Sequence, residues 1–262
     1  MGQNENELRR KIVEIGRLAF EKGWVAANDG NISVRLDDKR ILATPTGVSK
    51  GMMSPDDLII VDYEGKKIEG RLESTSEIAM HIAIYEGRPD IHAVVHAHPP
   101  TATGFASAGI PLNKAILPEV VIGLGCIPTA AYGLPGTPAL TEPLIPLIPQ
   151  YDAILLANHG AVAYGKDLMQ AYFRMETVEH FARINLVAEL LGGAKPLPRA
   201  EVDKLFDSRT RYGVRSKTTA AAGCPTVAED IAPGAPRSSE DGFWVTREQL
   251  VEMVEQAVQA RE

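Results

Sequence analysis

The chain has 262 residues, 45% of them apolar, and a net charge of -7, which suits one substantial soluble core and lacks the clustered Lys and Arg that nucleic acid or an anionic membrane favours. Only Cys126 and Cys224 are present, far apart and without a Cys-x-x-Cys, so neither a disulfide framework nor a zinc ribbon is expected and a reducing cytoplasm fits. The N-terminus is charged and amphipathic, and no run of about 18 uninterrupted apolar residues exists to span a bilayer; small metabolites remain the open class of partner.

Leu8, Ile12, Ile15 and Ala19 recur at helical spacing between Glu5 and Lys22, and Gly23 follows where a left-handed cap is wanted. Asp29-Gly30-Asn31 then turns into a strand at Ile32–Leu36, and Arg40–Thr44 returns as an antiparallel hairpin. Leu58–Val61 and Lys66–Ile68, split by Glu64-Gly65, complete a meander. Ser74 and Glu77 have capping-box spacing ahead of a helix carrying Ile78, Ile82 and Tyr85. Short helices are predicted over Thr101–Ala108 and Thr137–Ile148, and strands at Val120–Ile122 and Ala153–Ala157. A long amphipathic helix runs from Leu168 to Leu190 and ends at Gly192-Gly193. The fold class is therefore α/β: residues 1–217 form a single domain with a mixed sheet flanked by helices.

Alternation along His92-Ala93-Val94-Val95-His96-Ala97-His98-Pro99-Pro100 sends His96 and His98 to one face of a strand that the prolines stop. Two imidazoles there form two corners of a solvent-reachable metal site, and His159, in Asn158-His159-Gly160 where another strand turns, is the best third ligand. His81, His92 and His180 read instead as hydrogen-bonded core residues. Gly30-Asn31, Thr46-Gly47 and Thr75-Ser76 offer the backbone N–H groups and hydroxyls that a dianionic phosphate needs. There is no Gly-x-x-x-x-Gly-Lys-Ser/Thr and no Gly-x-Gly-x-x-Gly after a strand, which argues against nucleotides.

Taken together and in order, Asp29-Gly30-Asn31-Ile32-Ser33, Thr44-Pro45-Thr46-Gly47, Thr75-Ser76-Glu77, His96-Ala97-His98 and Asn158-His159-Gly160 resemble the class II aldolase/adducin family over residues 8–213. The resemblance implies a mainly antiparallel sheet, a homotetramer with active sites at subunit interfaces, and one zinc ion per subunit held by His96, His98 and His159. Glu77 would be the fourth ligand at rest and the acid/base in turnover. Gly30, Asn31, Thr46, Gly47, Thr75 and Ser76 would cradle the phosphate, with Thr75 standing where a serine is more usual. Where the family's aldolases supply a tyrosine from a neighbouring subunit this chain has Glu119, and Tyr212 resembles a C-terminal tyrosine of the family. The implied reaction is retro-aldol cleavage of a deoxy-ketose 1-phosphate, such as L-fuculose 1-phosphate, to dihydroxyacetone phosphate and lactaldehyde. The family also contains pentulose-5-phosphate 4-epimerases, sugar-acid phosphate decarboxylases and dehydratases, and non-enzymatic adducin-like interaction modules.

Residues 218–245 are rich in Gly, Pro and Ser and read as a linker. In 246–262 Thr246 and Gln249 fit a capping box, and Leu250, Val251, Val254, Ala257 and Val258 share one stripe of a short helix. This tail resembles the encapsulation peptides of bacterial microcompartment enzymes, which implies a shell protein as partner.

Overall fold

The computed structural model describes residues 4–214 and 224–230. Helix α1 (Glu5–Glu21) starts where Asn4 accepts a hydrogen bond from the Asn6 N–H, buries Leu8, Ile12, Ile15 and Ala19, and gives way to Gly23 at φ 70°. The expected hairpin and meander form β1 (Asn31–Arg35), β2 (Ile41–Ala43), β3 (Ile59–Val61) and β4 (Lys67–Glu69). After α2 (Ile78–Gly87) come β5 (Ala93–Ala97), α3 (Pro100–Ala108), α4 (Pro118–Gly123), β6 (Thr129–Ala130) and α5 (Pro138–Thr141). The chain continues through β7 (Ala153–Leu156), β8 (Gly160–Gly165), α6 (Leu168–Leu190) and α7 (Arg199–Ser208).

The strands make one sheet in the order β4-β3-β2-β1-β5-β8-β7-β6, antiparallel throughout except for the parallel β6–β7 pair. This is the mixed, mainly antiparallel sheet of the expected fold class. Alternate residues of each strand feed opposite cores, as the two-residue period requires. Ile32, Val34, Leu42, Val95 and Leu155 pack with α1, α3 and α6. Ile41, Ala43, Val61, Val94 and Ile154 pack with α2 and α5 on the other face. At about 25 cal/mol per Å² of apolar surface removed from water, these two layers are the main source of stability.

Three expectations are corrected. Val120–Ile122 is not a strand but lies in α4, because Pro118 occupies the first helical turn, where its missing N–H costs nothing. The predicted helix over Thr137–Ile148 is only the short α5 followed by turns, since Pro143 and Pro146 remove donors that a continuous helix needs. Cys126 and Cys224 are joined in a disulfide, with Cα atoms 5.8 Å apart across a sequence separation of 98. Sequence distance hid that pairing. Cys224–Val227, within the stretch expected to be linker, runs beside Asn113–Ala115, where Thr226 N–H donates to Asn113 O at 2.7 Å and Val227 is buried. Residues 231–262, with the predicted C-terminal helix, and residues 215–223 lie outside the described residues. Among those described, no helix is long and apolar enough to cross a membrane.

Candidate metal centre and active site

His96 sits on β5 opposite Asn31 of β1 and Val162 of β8, 1% exposed. Its Nδ1 lies 2.9 Å from the Ala161 carbonyl. A carbonyl only accepts, so Nδ1 carries a proton and Nε2 is the nitrogen turned toward Glu77 and His98. His98, just beyond β5, is fixed by its backbone N–H to Trp24 O at 2.8 Å, and its Nδ1 faces Asp29 Oδ2 at 3.6 Å. His159 stands on the three-residue turn between β7 and β8, which Asn158 closes in the left-handed region at φ 56°. The three rings form a nearly equilateral triangle, with centroids 5.0 Å (His96–His98), 4.8 Å (His96–His159) and 5.1 Å (His98–His159) apart. The sequence motif and its third partner are thus brought together, as expected.

Glu77 joins them. Its backbone occupies the position before α2, but its side chain makes no capping hydrogen bond, so the capping-box reading with Ser74 is not realised. Instead Glu77 Oε2 lies 3.2 Å from His96 Nε2, and Oε1 lies 3.1 Å from His159 Nε2. Burial opposes ionisation of this carboxyl, but His159, His96 and Asn31 outweigh it and hold Glu77 well below the usual carboxylate range. Burial, with His96 and His159 alongside, pushes His98 down to about 4.

These separations fit a metal ion. Ligands at about 2.0–2.1 Å from a tetrahedral zinc stand about 3.3–3.4 Å from one another, close to the 3.2 Å between His96 Nε2 and His98 Nε2. His96, His98 and His159 are the metal-competent cluster among the described residues, and Ala161 O and Asp29 are outer partners of the kind that orient imidazole ligands.

The three phosphate-type segments also converge. Thr46 N–H donates to Glu73 O at 3.0 Å, Pro45 bridges Ser74, and Asn31 Nδ2 lies 3.4 Å from Thr75 Oγ1. Thr46, Gly47 and Ser76 are exposed and Thr75 half-buried, so their polar groups remain available. Gly30 has no substitute: at φ 70° an added Cβ would lie 2.6 Å from Val25 Cγ1 and 2.9 Å from His96 O. Lys50, which sequence reasoning missed, is buried between the first two segments and donates from Nζ to Asn28 O at 3.0 Å and Val48 O at 2.9 Å.

Other expected residues stand apart. Glu119 is exposed at the start of α4 and lines a cleft of about 660 Å³ with Lys22, Trp24, Glu176 and Arg183, not with the histidine cluster. Tyr212 is 64% exposed in a short turn after α7. His81 is the buried, hydrogen-bonded core residue expected, but His92 and His180 are exposed, because one ends up before β5 and the other on the outer side of α6.

Comparison with known proteins agrees with this geometry. Residues 10–186 match the family described as "Class II Aldolase and Adducin N-terminal domain". The chain is similar to a 3-oxo-tetronate 4-phosphate decarboxylase of Pectobacterium atrosepticum, 36% identical over 69% of this chain and 84% of the relative. It is equally similar to an L-fuculose phosphate aldolase of Methanococcus maripaludis, 36% identical over 68% of this chain and 95% of that one. The solved structure of YgbL from Klebsiella pneumoniae superposes with a TM-score of 0.71 at 34% identity, covering 78% of this chain and 100% of the other. With the family matched across the sheet, the histidine triangle and Glu77, the chain belongs to the class II aldolase and adducin N-terminal domain family.

Proposed function

We propose that the chain is a zinc-dependent lyase that cleaves a deoxy-ketose 1-phosphate resembling L-fuculose 1-phosphate into dihydroxyacetone phosphate and lactaldehyde. The observation that carries this reading is the convergence of three imidazole nitrogens and Glu77 beside three phosphate-type segments. When bound by His96, His98 and His159, a zinc ion supplies Lewis-acid stabilisation of the negative charge that bond cleavage leaves on the substrate. The chain's own groups do the rest. Gly30, Asn31, Thr46, Gly47, Thr75 and Ser76 receive the phosphate. A base takes the proton of the aldehyde-forming hydroxyl, the C3–C4 electrons remain on the ketone fragment, and Glu77, a carboxylate at rest that takes up a proton from water once the substrate displaces it from the histidines, delivers that proton to the carbon. Glu119, acting from a second copy of the chain in a homotetramer, is the proposed base, with Tyr212 as the other candidate. An interaction module needs no such ligand set, so the adducin-like alternative is disfavoured.

A second reading is supported by the decarboxylase relative. Loss of carbon dioxide from a 3-oxo sugar-acid phosphate leaves the same charge on the same fragment, so one site serves either reaction. A panel of ketose 1-phosphates, pentulose 5-phosphates and 3-oxo sugar-acid phosphates, scored for dihydroxyacetone phosphate, aldehyde, carbon dioxide and epimerised sugar, separates them. Lactaldehyde with no carbon dioxide is the expected result. Carbon dioxide selects the decarboxylase, an epimerised pentulose 5-phosphate selects the epimerase, and no turnover on any compound defeats the proposal.

A further inference from the structure

Behind Glu77 lies a chain of four buried hydrogen bonds that the proposed chemistry does not use. Asn31 Nδ2 is 2.7 Å from Glu77 Oε2, His81 Nε2 is 2.5 Å from Asn31 Oδ1, Ser33 Oγ is 2.6 Å from His81 Nδ1, and Tyr85 Oη is 2.7 Å from Ser33 Oγ. The direction of each bond is forced. A carboxylate only accepts, so Asn31 turns its NH2 to Glu77 and its carbonyl to His81. His81 must then donate from Nε2, leaving Nδ1 to accept from Ser33, whose oxygen in turn accepts from Tyr85.

We propose that His81 is a positioning residue: held as the Nε2–H tautomer by Ser33 and Tyr85, it locks the Asn31 amide in the one orientation that holds the Glu77 carboxylate in the histidine cluster. The far end does not reach solvent, since His81 is 0% exposed, Ser33 0% and Tyr85 1%. The chain is therefore a brace and not a route for protons. It also gives Asn31 two duties, because the same NH2 that meets Glu77 lies 3.4 Å from Thr75 Oγ1, so the phosphate-type segment and the acid/base are set by one side chain. The interpretation of the brace rests on the metal-site reading above.

The test uses zinc-loaded and cobalt-loaded full-length protein. In His81→Leu the donor to Asn31 is gone; the cobalt absorption spectrum should shift toward that of Glu77→Gln, and kcat should fall about 10–100-fold. His81→Gln, whose amide nitrogen can reach Asn31, should restore both. A folded His81→Leu with wild-type spectrum and kcat would overturn the proposal. Should the Leu variant fail to fold, 15N-histidine NMR of the wild-type protein decides it: Nε2 protonated and Nδ1 free is expected, and the opposite tautomer overturns it. Absence of bound divalent metal in the wild type would defeat the functional reading instead, while the tautomer would still decide the brace.

Discussion

At Gly160 the chain leaves the turn that carries His159 and passes close over β5. A Cβ there would lie 2.6 Å from Ala97 O and 2.6 Å from His98 Cδ2, so Gly160→Ala must displace either the strand or a ligand ring. The expected outcome is a fold kept and zinc affinity lowered about 10–100-fold, the range for disturbed ligand orientation; His96→Ala should lower it further, since it removes a ligand and not only the orientation of one. Elemental analysis after dialysis checks both, and full occupancy in His96→Ala would refute the ligand assignment. His81 adds a pH dependence. Burial first, and then His96, push it down to about 3, against Glu77, which pulls it up, whereas an unfolded histidine titrates near about 6.5. Between those values the unfolded chain binds a proton the folded one refuses, so this contribution is intact above about pH 6.5 and falls by up to ~1.4 kcal/mol per unit as the pH drops toward 3. Equilibrium unfolding of wild type against His81→Gln across this range should show a flatter curve for the variant; parallel curves would remove His81 from the account. His96 and His98 were legible because a strand's period is two, and the turn at Asn158-His159-Gly160 marked the third corner. The bonds from Asn31 to His81 and Glu77 were not legible, because they join residues 50 and 46 positions apart across the contact of α2 with β1, which no local pattern reveals.

Among the elements, α3 matters most to the site, since it begins two residues after His98. Glu179 of α6, 3% exposed, accepts hydrogen bonds from the N-terminus of α3, from Thr101 N at 3.1 Å, Thr101 Oγ1 at 2.8 Å and Ala102 N at 2.9 Å. A carboxylate at that end satisfies orphan donors and complements the helix dipole. Glu179→Ala would strand these buried donors and should cost at least about 2 kcal/mol, with loosened metal binding because His98 and α3 are contiguous. Urea unfolding and zinc content check this; unchanged stability would mean that water replaces the cap. Long periodic elements such as α1 and α6 were readable from sequence, and so was α3 between its prolines and Gly109. The failures share a cause. Val120–Ile122 is apolar and β-branched enough to suggest a strand, yet only tertiary placement decided between an edge strand and a one-turn helix under Pro118. Similarly, β6 has only two residues, and its parallel pairing to β7 comes from long-range contact and not from composition.

For the molecule as a whole, the boundary of the folded domain sets where the tail can be removed. Cutting at residue 217 would take away Thr226, which donates to Asn113 O and accepts from Ala115 N at 2.9 Å, and Val227, buried against Ala115, Val121 and Val202. It would also remove the disulfide from Cys126 to Cys224. Removal of residues 231–262 spares all of these. The sequence of that segment proposes a short amphipathic helix, and a helix of this length is marginal alone and gains its stability from a partner surface. Under the proposed cleavage, which releases a reactive aldehyde, we propose a microcompartment shell protein as that partner. The truncated chain should keep the zinc content, the oligomeric state and the turnover of the full chain. It should at the same time lose co-purification with a shell protein, and residues 246–262 fused to a fluorescent protein should be recruited to shells by themselves. Loss of the oligomer or of turnover on removing 231–262 would make the tail a structural part of the enzyme and defeat the targeting proposal.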